Sequence, residues 1–429
     1  MQISPVVKFA FNRQTWLIPL ILVLGLAVLF PAIYLTATVN PQGHLHNLPV
    51  GLVVETQSPP VGATDSAHNL AEVISAHIDR AKIDLVRLTA KQLNSKMAND
   101  TIAGAIIIPS NFNSSISSLF PGAPPAALTV PVVQIRTNAG DGGISSGLVT
   151  GNLTPLLTAV QHAFGQRLLP IAEAGGRSVS GSERYVLERP YTTLSGPYVA
   201  LPANSGFGTS ALYYTLVLVL LGFIGASIIN PFVDSALGFA PSEVGPIVAR
   251  RPYLKMTRLQ TLLVKFGIVI ASAPVAAVLV QWLATSLAGV PIGDPVMMWL
   301  FSSASIAAIG IGALSVFAIF GSGIGSLVNT LFFIALSMSS SGGTVPLAAT
   351  PPFYQWLSTF EPFLPIIEGV RSILYFDGGA SAGLSDGWLR IALGAAIGVA
   401  VGLAGTTLYG RHSKFSRHPL PAVGEIHAS

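Results

Sequence analysis

The chain has 429 residues, of which 51% are hydrophobic and only 9% are charged, and its formal net charge is +4. Soluble domains have about 25% charged residues, so the composition indicates an integral membrane protein. Basic residues collect at the cytoplasmic ends of membrane helices, and this accounts for the positive charge without a nucleic-acid partner. The sequence has no cysteine, which excludes disulfides, thiolate metal sites and a cysteine nucleophile.

Six apolar blocks are long enough to cross a bilayer, which takes about 20 residues. They lie at residues 16–37, 209–229, 259–287, 295–320, 324–346 and 387–409. The first block lacks a small-residue cleavage site at its end, so we expect a retained helix and not a signal peptide. The sequence therefore predicts six transmembrane α-helices, arranged as one plus five.

The stretch between the first two blocks has the charges and short apolar runs of a folded aqueous domain. Strand-like runs lie at residues 48–56, 83–89, 102–109 and 127–137, and helical patterns lie at residues 67–81, 90–97, 111–120 and 143–165. This alternation predicts an α/β sheet with helical crossovers. Ser110 or Asn111 is the expected N-cap of the third helix. Residues 172–205, rich in Gly, Ser and Pro, are expected to form a loose return to the membrane.

Basic residues predict the orientation of the chain. The clusters are Lys8 and Arg13 before the first helix, Arg250, Arg251, Lys255 and Arg258 between the second and third, and Arg411, Lys414 and Arg417 after the sixth. All three clusters fall on one side of the predicted arrangement, which the positive-inside rule places in the cytoplasm. We therefore expect a multi-pass protein of the plasma (cytoplasmic) membrane with both termini in the cytoplasm and an extracytoplasmic α/β domain.

The predicted organisation has five parts. They are a cytoplasmic N-terminus at residues 1–15, a transmembrane helix at 16–38, the extracytoplasmic α/β domain at 39–207, a five-helix transmembrane domain at 208–410 and a cytoplasmic tail at 411–429. Within the five-helix domain we expect a cytoplasmic loop at residues 231–259. An outer re-entrant or interfacial segment is expected at residues 344–386.

The energy source is constrained mainly by what the sequence lacks. No lysine follows a glycine, so there is no G-x-x-x-x-G-K-[ST] phosphate-binding loop and the chain cannot be its own P-loop ATPase. The central parts of the predicted helices also lack the Asp, Glu or His that proton relays use. Lys265 is the one ionisable residue well within a span; we expect it to snorkel towards the basic loop, with a functional role as the alternative.

No catalytic arrangement is visible in the sequence. The eight histidines have no metal-ligand spacing, and no Ser/His/Asp set is indicated. We therefore expect a protein that is not an enzyme, with no catalytic residue, metal site or cofactor site of its own.

Two groups of polar residues are candidates for function. Arg250, Arg251 and Arg258 suit bidentate pairing with carboxylates on a partner ATPase, although the same arginines serve equally well as membrane anchors. Near the outer surface, Ser, Gly and Pro interrupt the fifth block, and non-helical backbone is tolerated there only against protein or a water-filled cavity. A translocation path or re-entrant segment is therefore expected to involve Asn329, Thr330, Ser337, Glu361, Glu368 and Arg371.

Each of these polar residues also has a structural interpretation. Asn329 and Thr330 can hydrogen-bond a neighbouring helix. Glu368 and Arg371 can form an exposed i,i+3 pair, on amphipathic helices that lie along the outer interface over residues 353–375. Gly394, Gly398 and Gly402 have small-x-x-x-small spacing, which suits either packing within one bundle or a dimer seam.

Four stretches carry a resemblance to a known family: "LPVGLVVETQSPPVG", "AGAIIIPSNFNSSISS", "VQIRTNAG" and "FEPFLPIIEGVRSILYFDGG". Together with the one-plus-five topology, they resemble the YhgE/Pip group of the type-2 ABC transporter permease superfamily, which includes nitrosoguanidine-resistance-like proteins. The resemblance implies a permease-like subunit that exports a lipid or a hydrophobic or toxic compound, as in drug resistance. Expected partners are membrane lipids, a separate ATPase that supplies ATP hydrolysis, and a second copy in a homodimer.

The same resemblance leaves a second function open. Some members of this group are phage-infection factors or secretion-system components. The alternative is therefore a non-transporting envelope scaffold or receptor-like protein that acts through its outer domain.

Overall fold

Within residues 13–56, 65–120, 129–174, 179, 181–244, 247–249 and 251–412, which the computed structural model describes, five helices are long and apolar enough to cross a membrane. These spans are Leu20–Thr38, Gly206–Ala236, Arg258–Ser286, Pro295–Ser339 and Leu384–Arg411. The protein is therefore a multi-pass membrane protein. An α/β sheet region lies between the first and second spans, as the sequence predicts.

The α/β domain is built on one five-stranded mixed sheet. In chain order its elements are β1 (Leu48–Val54), α2 (Ser66–His77), β2 (Ile83–Leu88), α3 (Ala90–Ala98), β3 (Gly104–Ile108), α4 (Phe112–Ser118), β4 (Val132–Thr137), α5 (Gly143–Ala174), α6 (Gly181–Glu188) and β5 (Thr192–Pro197), and α1 (Arg13–Thr38) precedes them. The strand order is β2-β1-β3-β4-β5. Strand β4 is antiparallel to β3, and the other neighbouring pairs are parallel.

Strand alternation divides the domain's apolar side chains between two faces. Leu52 and Ile106 belong to the larger core, which α2, α4 and α5 cover. Val53 and Ile107 point to the opposite face, where Leu93 and other residues of α3 cover them. Thr89 begins α3 with a complete capping box, whereas Asn111 occupies the N-cap position of α4 without a side-chain hydrogen bond.

The prediction of a loose return to the membrane at residues 172–205 is wrong. This stretch contains α6 and a fifth strand, β5, which pairs in parallel with β4 from Val132↔Thr192 onwards. Strand β5 has the sequence TTLSGP and is largely exposed. It is an edge strand with few apolar side chains, so it lacks the alternating hydrophobic pattern that identifies strands in a sequence.

The membrane bundle is formed by α7 (Thr209–Ala236), α8 (Arg258–Ser286), α9 (Pro295–Asn329), α10 (Pro352–Leu357), α11 (Phe363–Tyr375) and α12 (Leu384–Arg411). A short hairpin, β6 (Ser242–Val244) with β7 (Ile247–Ala249), lies between α7 and α8. The main bundle core gathers buried side chains from α7, α8, α9, α11 and α12. Helix α1 stands apart and packs Ile33 and Ala37 against Ala335, Tyr354 and Leu357.

Helix α9 folds back on itself at Gly321, whose φ of 73° and ψ of 177° are not helical. Asn329 Nδ2 donates to the carbonyl oxygen of Ala313 at 3.1 Å, and the Phe333 ring packs beside Gly312. The later residue of the second segment contacts the earlier residue of the first, so the two segments are antiparallel. We call residues 295–320 the first arm and residues 322–339 the second arm of this helical hairpin.

Helix α11 does not lie flat on an outer interface as expected, whereas α10 keeps Phe353 and Trp356 exposed. All residues of α11 from Phe363 to Leu374 are buried except the half-buried Glu368. Helix α11 therefore enters the bundle, where its apolar side chains contact the core formed by α7, α9 and α12. Its sequence is amphipathic, but the face that holds Glu368, Arg371 and Ser372 is also buried or half-buried, so the packing and not the pattern distinguishes it from an interfacial helix.

Candidate functional site

Four helices meet at the end of the bundle farthest from the α/β domain and enclose a cavity of about 410 Å³. We call it the distal cavity. Arg258, Thr261 and Lys265 line it from one face of α8, because residues three, four and seven apart share a face. Asn230 and Asp234 come from α7, and the remaining wall is formed by the Gly321 turn and by Thr406 and Tyr409 of α12.

Lys265 does not snorkel out of the bundle. Its side chain is only 5% exposed and its ammonium nitrogen lies 3.0 Å from Asp234 Oδ1. The same nitrogen donates to Asn230 Oδ1 at 2.7 Å, and Asn230 Nδ2 in turn donates to Ser322 Oγ at 3.1 Å. A buried charge requires a partner of this kind, so the expectation from the sequence is corrected to a buried, paired lysine.

The sequence missed the partners of Lys265 because α7 is longer than predicted. It continues to Ala236, so Asp234 belongs to a membrane-length helix and not to the loop expected at residues 231–259. Asn230, which directly follows the span predicted at 209–229, belongs to the same helix. Asn230 and Asp234 are four residues apart and share one face of α7, and Arg258 and Lys265 are seven residues apart and share one face of α8. Polar residues at these spacings in two apolar helices are the signal that could have identified this cluster.

The second arm of the hairpin is irregular where it approaches the α/β domain. Residues Thr330–Leu336 form a π-helix, a distortion that is frequent at functional sites. Immediately after it, the Ser337 hydroxyl donates to Glu361 Oε2. Glu361 is 2% exposed, and its Oε1 has no hydrogen-bond partner among the described residues. Burial raises the pKa of Glu361 to about 9.

A second, apolar recess of about 260 Å³ lies on the side of the bundle, between the hairpin and α12. We call it the lateral groove. Phe332 and Phe333 of the second arm line it, together with Ile366 of α11 and Ile397 of α12. Phe360, which precedes Glu361, also lines the groove and is 62% exposed. The groove is therefore accessible from the apolar flank of the bundle.

The expected path residues are divided between three places. Ser337 and Glu361 form the buried pair beside the π-helix. Asn329 joins the two arms of the hairpin, in agreement with the structural alternative, and its Oδ1 has no partner within the described chain. The Thr330 hydroxyl donates to the carbonyl oxygen of Ser326 in its own helix.

Arg371 joins the bundle to the α/β domain. Its Nη2 donates to the carbonyl oxygen of Asp141 at 2.9 Å, and the side chain is buried. This position rules out the exposed i,i+3 pair with Glu368. Burial raises the pKa of Glu368, which lies half-buried on the same helix, to about 7.

Two aspartates missed by the sequence reading meet Arg371 at this junction. Burial and the neighbouring Asp141 carboxyl raise the pKa of Asp100 well above its usual range. Asn138 Nδ2 also donates to Asp100 Oδ1 at 2.8 Å. Burial raises the pKa of Asp141 as well, and Arg371 counteracts this effect on both carboxyls.

The glycine face of α12 packs within the chain at two of its three positions. Gly398 approaches Gly312 on the first arm, and the Ser315 hydroxyl donates to the Gly398 carbonyl at 2.7 Å. Gly402 packs against Ser315 and Leu262. Gly394 is open and lines the lateral groove. Close backbone approach is thus used inside the bundle.

The expected coupling arginines are only partly described. Arg250 lies outside the described residues, as do Lys8, Lys414 and Arg417. Arg251 is exposed on the loop before α8, whereas Arg258 lines the distal cavity and lies over the Tyr409 ring at 6.0 Å. The three arginines therefore do not form a single described surface.

The described part of the chain contains no group of three or more His, Asp or Glu side chains that could hold a metal ion. These features define a multi-pass membrane protein with an α/β domain inserted after its first helix. Residues 18–391 match a family described as "Protein of unknown function (DUF3533)". Because the match spans most of the chain, the protein belongs to this family. No curated protein matches it.

Proposed function

We propose that the chain is a permease-like subunit of the YhgE/Pip type, within the type-2 ABC transporter permease superfamily, that exports a lipid or another hydrophobic compound. The lateral groove is the observation that carries this proposal. Its lining is mostly apolar, and it opens on the flank of membrane-length helices where lipid would lie. A hydrophobic molecule could enter such a groove from the bilayer without first crossing water.

The proposal includes six membrane crossings. As one straight helix, the 45 residues of Pro295–Ser339 would extend about 68 Å, more than twice the roughly 30 Å of a hydrocarbon core. The reversal at Gly321 supports two crossings in this span, and the other four spans supply one each. The distal cavity then lies at the cytoplasmic end and the α/β domain lies outside.

Export in this proposal needs a separate ATPase, because the sequence has no P-loop. The connection from α7 to α8 is the proposed docking element. Its short β6–β7 hairpin exposes Ile247 and Val248, and Arg251 follows close by. Exposed apolar side chains near an arginine able to pair with a carboxylate suit a protein partner.

Filling the lateral groove tests this function. Gly394→Phe adds a ring at a residue that lines the groove, and a Cβ at Gly394 meets no atom within 4 Å. Leu393→Phe is the matched control, since Leu393 is 57% exposed on the flank of the same helix and does not line the groove. The readout is ATP-dependent uptake of a fluorescent hydrophobic dye or labelled lipid by inside-out membrane vesicles.

We expect uptake above that of vesicles lacking the chain, a severalfold loss in Gly394→Phe, and normal uptake in Leu393→Phe. ATP-independent uptake by purified protein in liposomes would reject the ATPase partner. Absence of uptake in both preparations would favour the alternative function, a non-transporting envelope scaffold that acts through the α/β domain.

A further inference from the structure

Another recess, of about 340 Å³, lies where the α/β domain meets the bundle. We call it the junction cavity, and its size suits a small organic molecule. Met97 and Asn138 of the α/β domain and Leu374 of α11 are its buried lining residues, whereas Val199 and Asp377 line it and are exposed. The cavity is therefore formed jointly by the two parts of the molecule and is open to solvent on one side.

Aromatic side chains line the junction cavity from both parts. Tyr198 follows β5 in the α/β domain, and its hydroxyl donates to Asn94 Oδ1. Tyr375 ends α11 and Phe376 comes directly after it. The Phe376 ring fills the space that a Cβ would take at Gly140, so this ring is held by close packing. Aromatic rings of this kind attract a cation through the negative faces of their π-systems.

The charge of the lining is negative. Among the described residues that line the junction cavity, Asp377 is the one with a charged side chain. Burial and the neighbouring Glu55 carboxylate raise the pKa of Tyr198, so a second carboxylate acts on this region. Arg136 and Arg371 lie nearby, but each donates to a backbone carbonyl outside the lining. The cavity therefore favours a positively charged ligand over a negatively charged one.

The backbone at Asp377 does not require a carboxylate. Its φ of 51° is in the left-handed region, where asparagine and aspartate are both favoured among residues other than glycine. Gly378 follows with a φ of 67°, so an asparagine at position 377 would suit the same turn. The ion pairs between described residues do not involve the Asp377 carboxylate. Its charge is thus explained neither by the turn nor by a pairing seen in the described chain.

We propose that the junction cavity binds a hydrophobic organic cation, with Asp377 as the counter-ion and the rings of Tyr198, Tyr375 and Phe376 as the contact surface. The positive group is attracted by the carboxylate and by the rings, and the apolar body of the ligand packs on Met97 at the buried side. This site is separate from the lateral groove. It goes beyond the proposed export function, since a non-transporting protein could bind the same cation.

Binding of small aromatic probes to the purified full-length protein in detergent tests the proposal. The matched pair is para-hydroxyphenyl trimethylammonium, a cation, and para-tert-butylphenol, which has the same shape without the charge. Tetramethylammonium is the cation without a ring. Affinity at neutral pH is measured by ligand-observed NMR titration, with empty micelles as the blank. We expect the aromatic cation to bind more tightly than para-tert-butylphenol and more tightly than tetramethylammonium.

Variants locate the site. Asp377→Asn keeps the turn and removes the charge, so it should weaken binding of the aromatic cation about threefold to tenfold and leave para-tert-butylphenol unchanged. Asp79→Asn is the matched control, because Asp79 is exposed in a turn of the same domain and does not line the cavity. Tyr198→Leu should weaken cation binding by a similar factor, and Tyr198→Phe, which keeps the ring, should retain it. Thermal unfolding of each variant reports folding.

Equal affinity of the wild type for the aromatic cation and para-tert-butylphenol would overturn the proposal, and so would wild-type cation affinity in Asp377→Asn. Gly394→Phe, which alters the lateral groove, should bind the cation normally. Loss of cation binding in Gly394→Phe would place the cation in the groove and overturn the assignment to the junction cavity. Loss of dye export together with normal cation binding would reject the proposed function alone, so the two proposals are tested separately.

Discussion

Two buried ionisable side chains in the bundle region have different environments. Lys265 has a carboxylate and an amide oxygen within hydrogen-bond distance. Glu361 has the Ser337 hydroxyl as a donor, but its second carboxyl oxygen has no partner among the described residues. A buried carboxyl without a cation is favoured in its neutral form. Glu361 is therefore the residue at which we expect protonation to affect stability.

We expect Glu361→Gln to remove a pH dependence of stability. With its pKa raised to about 9 in the folded protein and near 4.5 when unfolded, Glu361 holds a proton that the unfolded chain releases between these values. Stability from this group is thus present below about pH 4.5 and is lost as pH rises towards 9. The amide carries no charge, so Glu361→Gln should unfold at a higher temperature than the wild type at pH 8.5 and at a similar temperature at pH 5.

Thermal unfolding in detergent at the two pH values provides the measurement. The expected gain at pH 8.5 is on the order of a few kcal/mol, because each pH unit above the unfolded pKa and below the folded pKa costs the wild type about 1.4 kcal/mol. Glu72→Gln is the control, because Glu72 is 67% exposed beside Arg87 and should change little. An equal effect of Glu361→Gln at both pH values would contradict the protonation argument.

At the scale of elements, the hairpin depends on one residue at its turn. Gly321 combines a φ of 73° with a ψ of 177°, a region of backbone space that is essentially restricted to glycine. Gly321→Ala should therefore destabilise the protein by about 1–3 kcal/mol. Gly323→Ala, two residues later in helical backbone with open space around its Cβ, should be neutral or stabilising by up to about 1 kcal/mol. Chemical or thermal unfolding in detergent compares the two, and similar effects would argue against a strained turn.

The glycine face of α12 separates packing within the bundle from self-association. A Cβ at Gly398 would lie 3.2 Å from Gly312 Cα, so Gly398→Ile should cost about 1–3 kcal/mol or more by overpacking. Its oligomeric size in detergent should not change, because the contact is internal. Gly394→Ile, with no atom near its Cβ, should be tolerated. A change from dimer to monomer in Gly398→Ile alone would instead place a dimer seam there; light scattering of both variants distinguishes these outcomes.

At the scale of the whole molecule, the α/β domain and the bundle are joined by buried side chains and hydrogen bonds. Val345 and Ala349, from the segment before α10, belong to the core of the α/β domain. The backbone N–H of His46 donates to the Ala348 carbonyl at 2.9 Å, and Arg371 reaches Asp141 from α11. A displacement of α11 would therefore be transmitted to the α/β domain through buried contacts.

The orientation of the whole molecule is tested by labelling. If the basic end is cytoplasmic, a cysteine replacing the exposed Ser117 should react with an impermeant thiol reagent on intact cells or spheroplasts, whereas one replacing the exposed Lys255 should react only after permeabilisation. The chain has no native cysteine, so the background is low. The reverse pattern would invert the proposed topology and place the distal cavity outside.

The sequence by itself determined the membrane class, the positions of the long apolar helices and most of the α/β elements. Runs of about 20 apolar residues and alternating strand patterns are local signals. The first reflects the thickness of the bilayer that a helix must cross, and the second reflects the one face of a strand that packs against a core. Residues with weak local signals, such as the polar edge strand β5, were missed for the same reason.

Only the tertiary structure decided which polar residues come together. Lys265 and Asp234 lie on two helices joined by a loop, and Asp100, Asp141 and Arg371 come from three distant parts of the chain. Spacing indicates which residues share a helix face, but it does not show which faces meet. Whether Glu361 is buried depends on how α11 and the second arm pack around it. Burial and charge pairing are properties of contacts between elements, and these contacts are fixed only when the helices pack against one another and against the α/β domain.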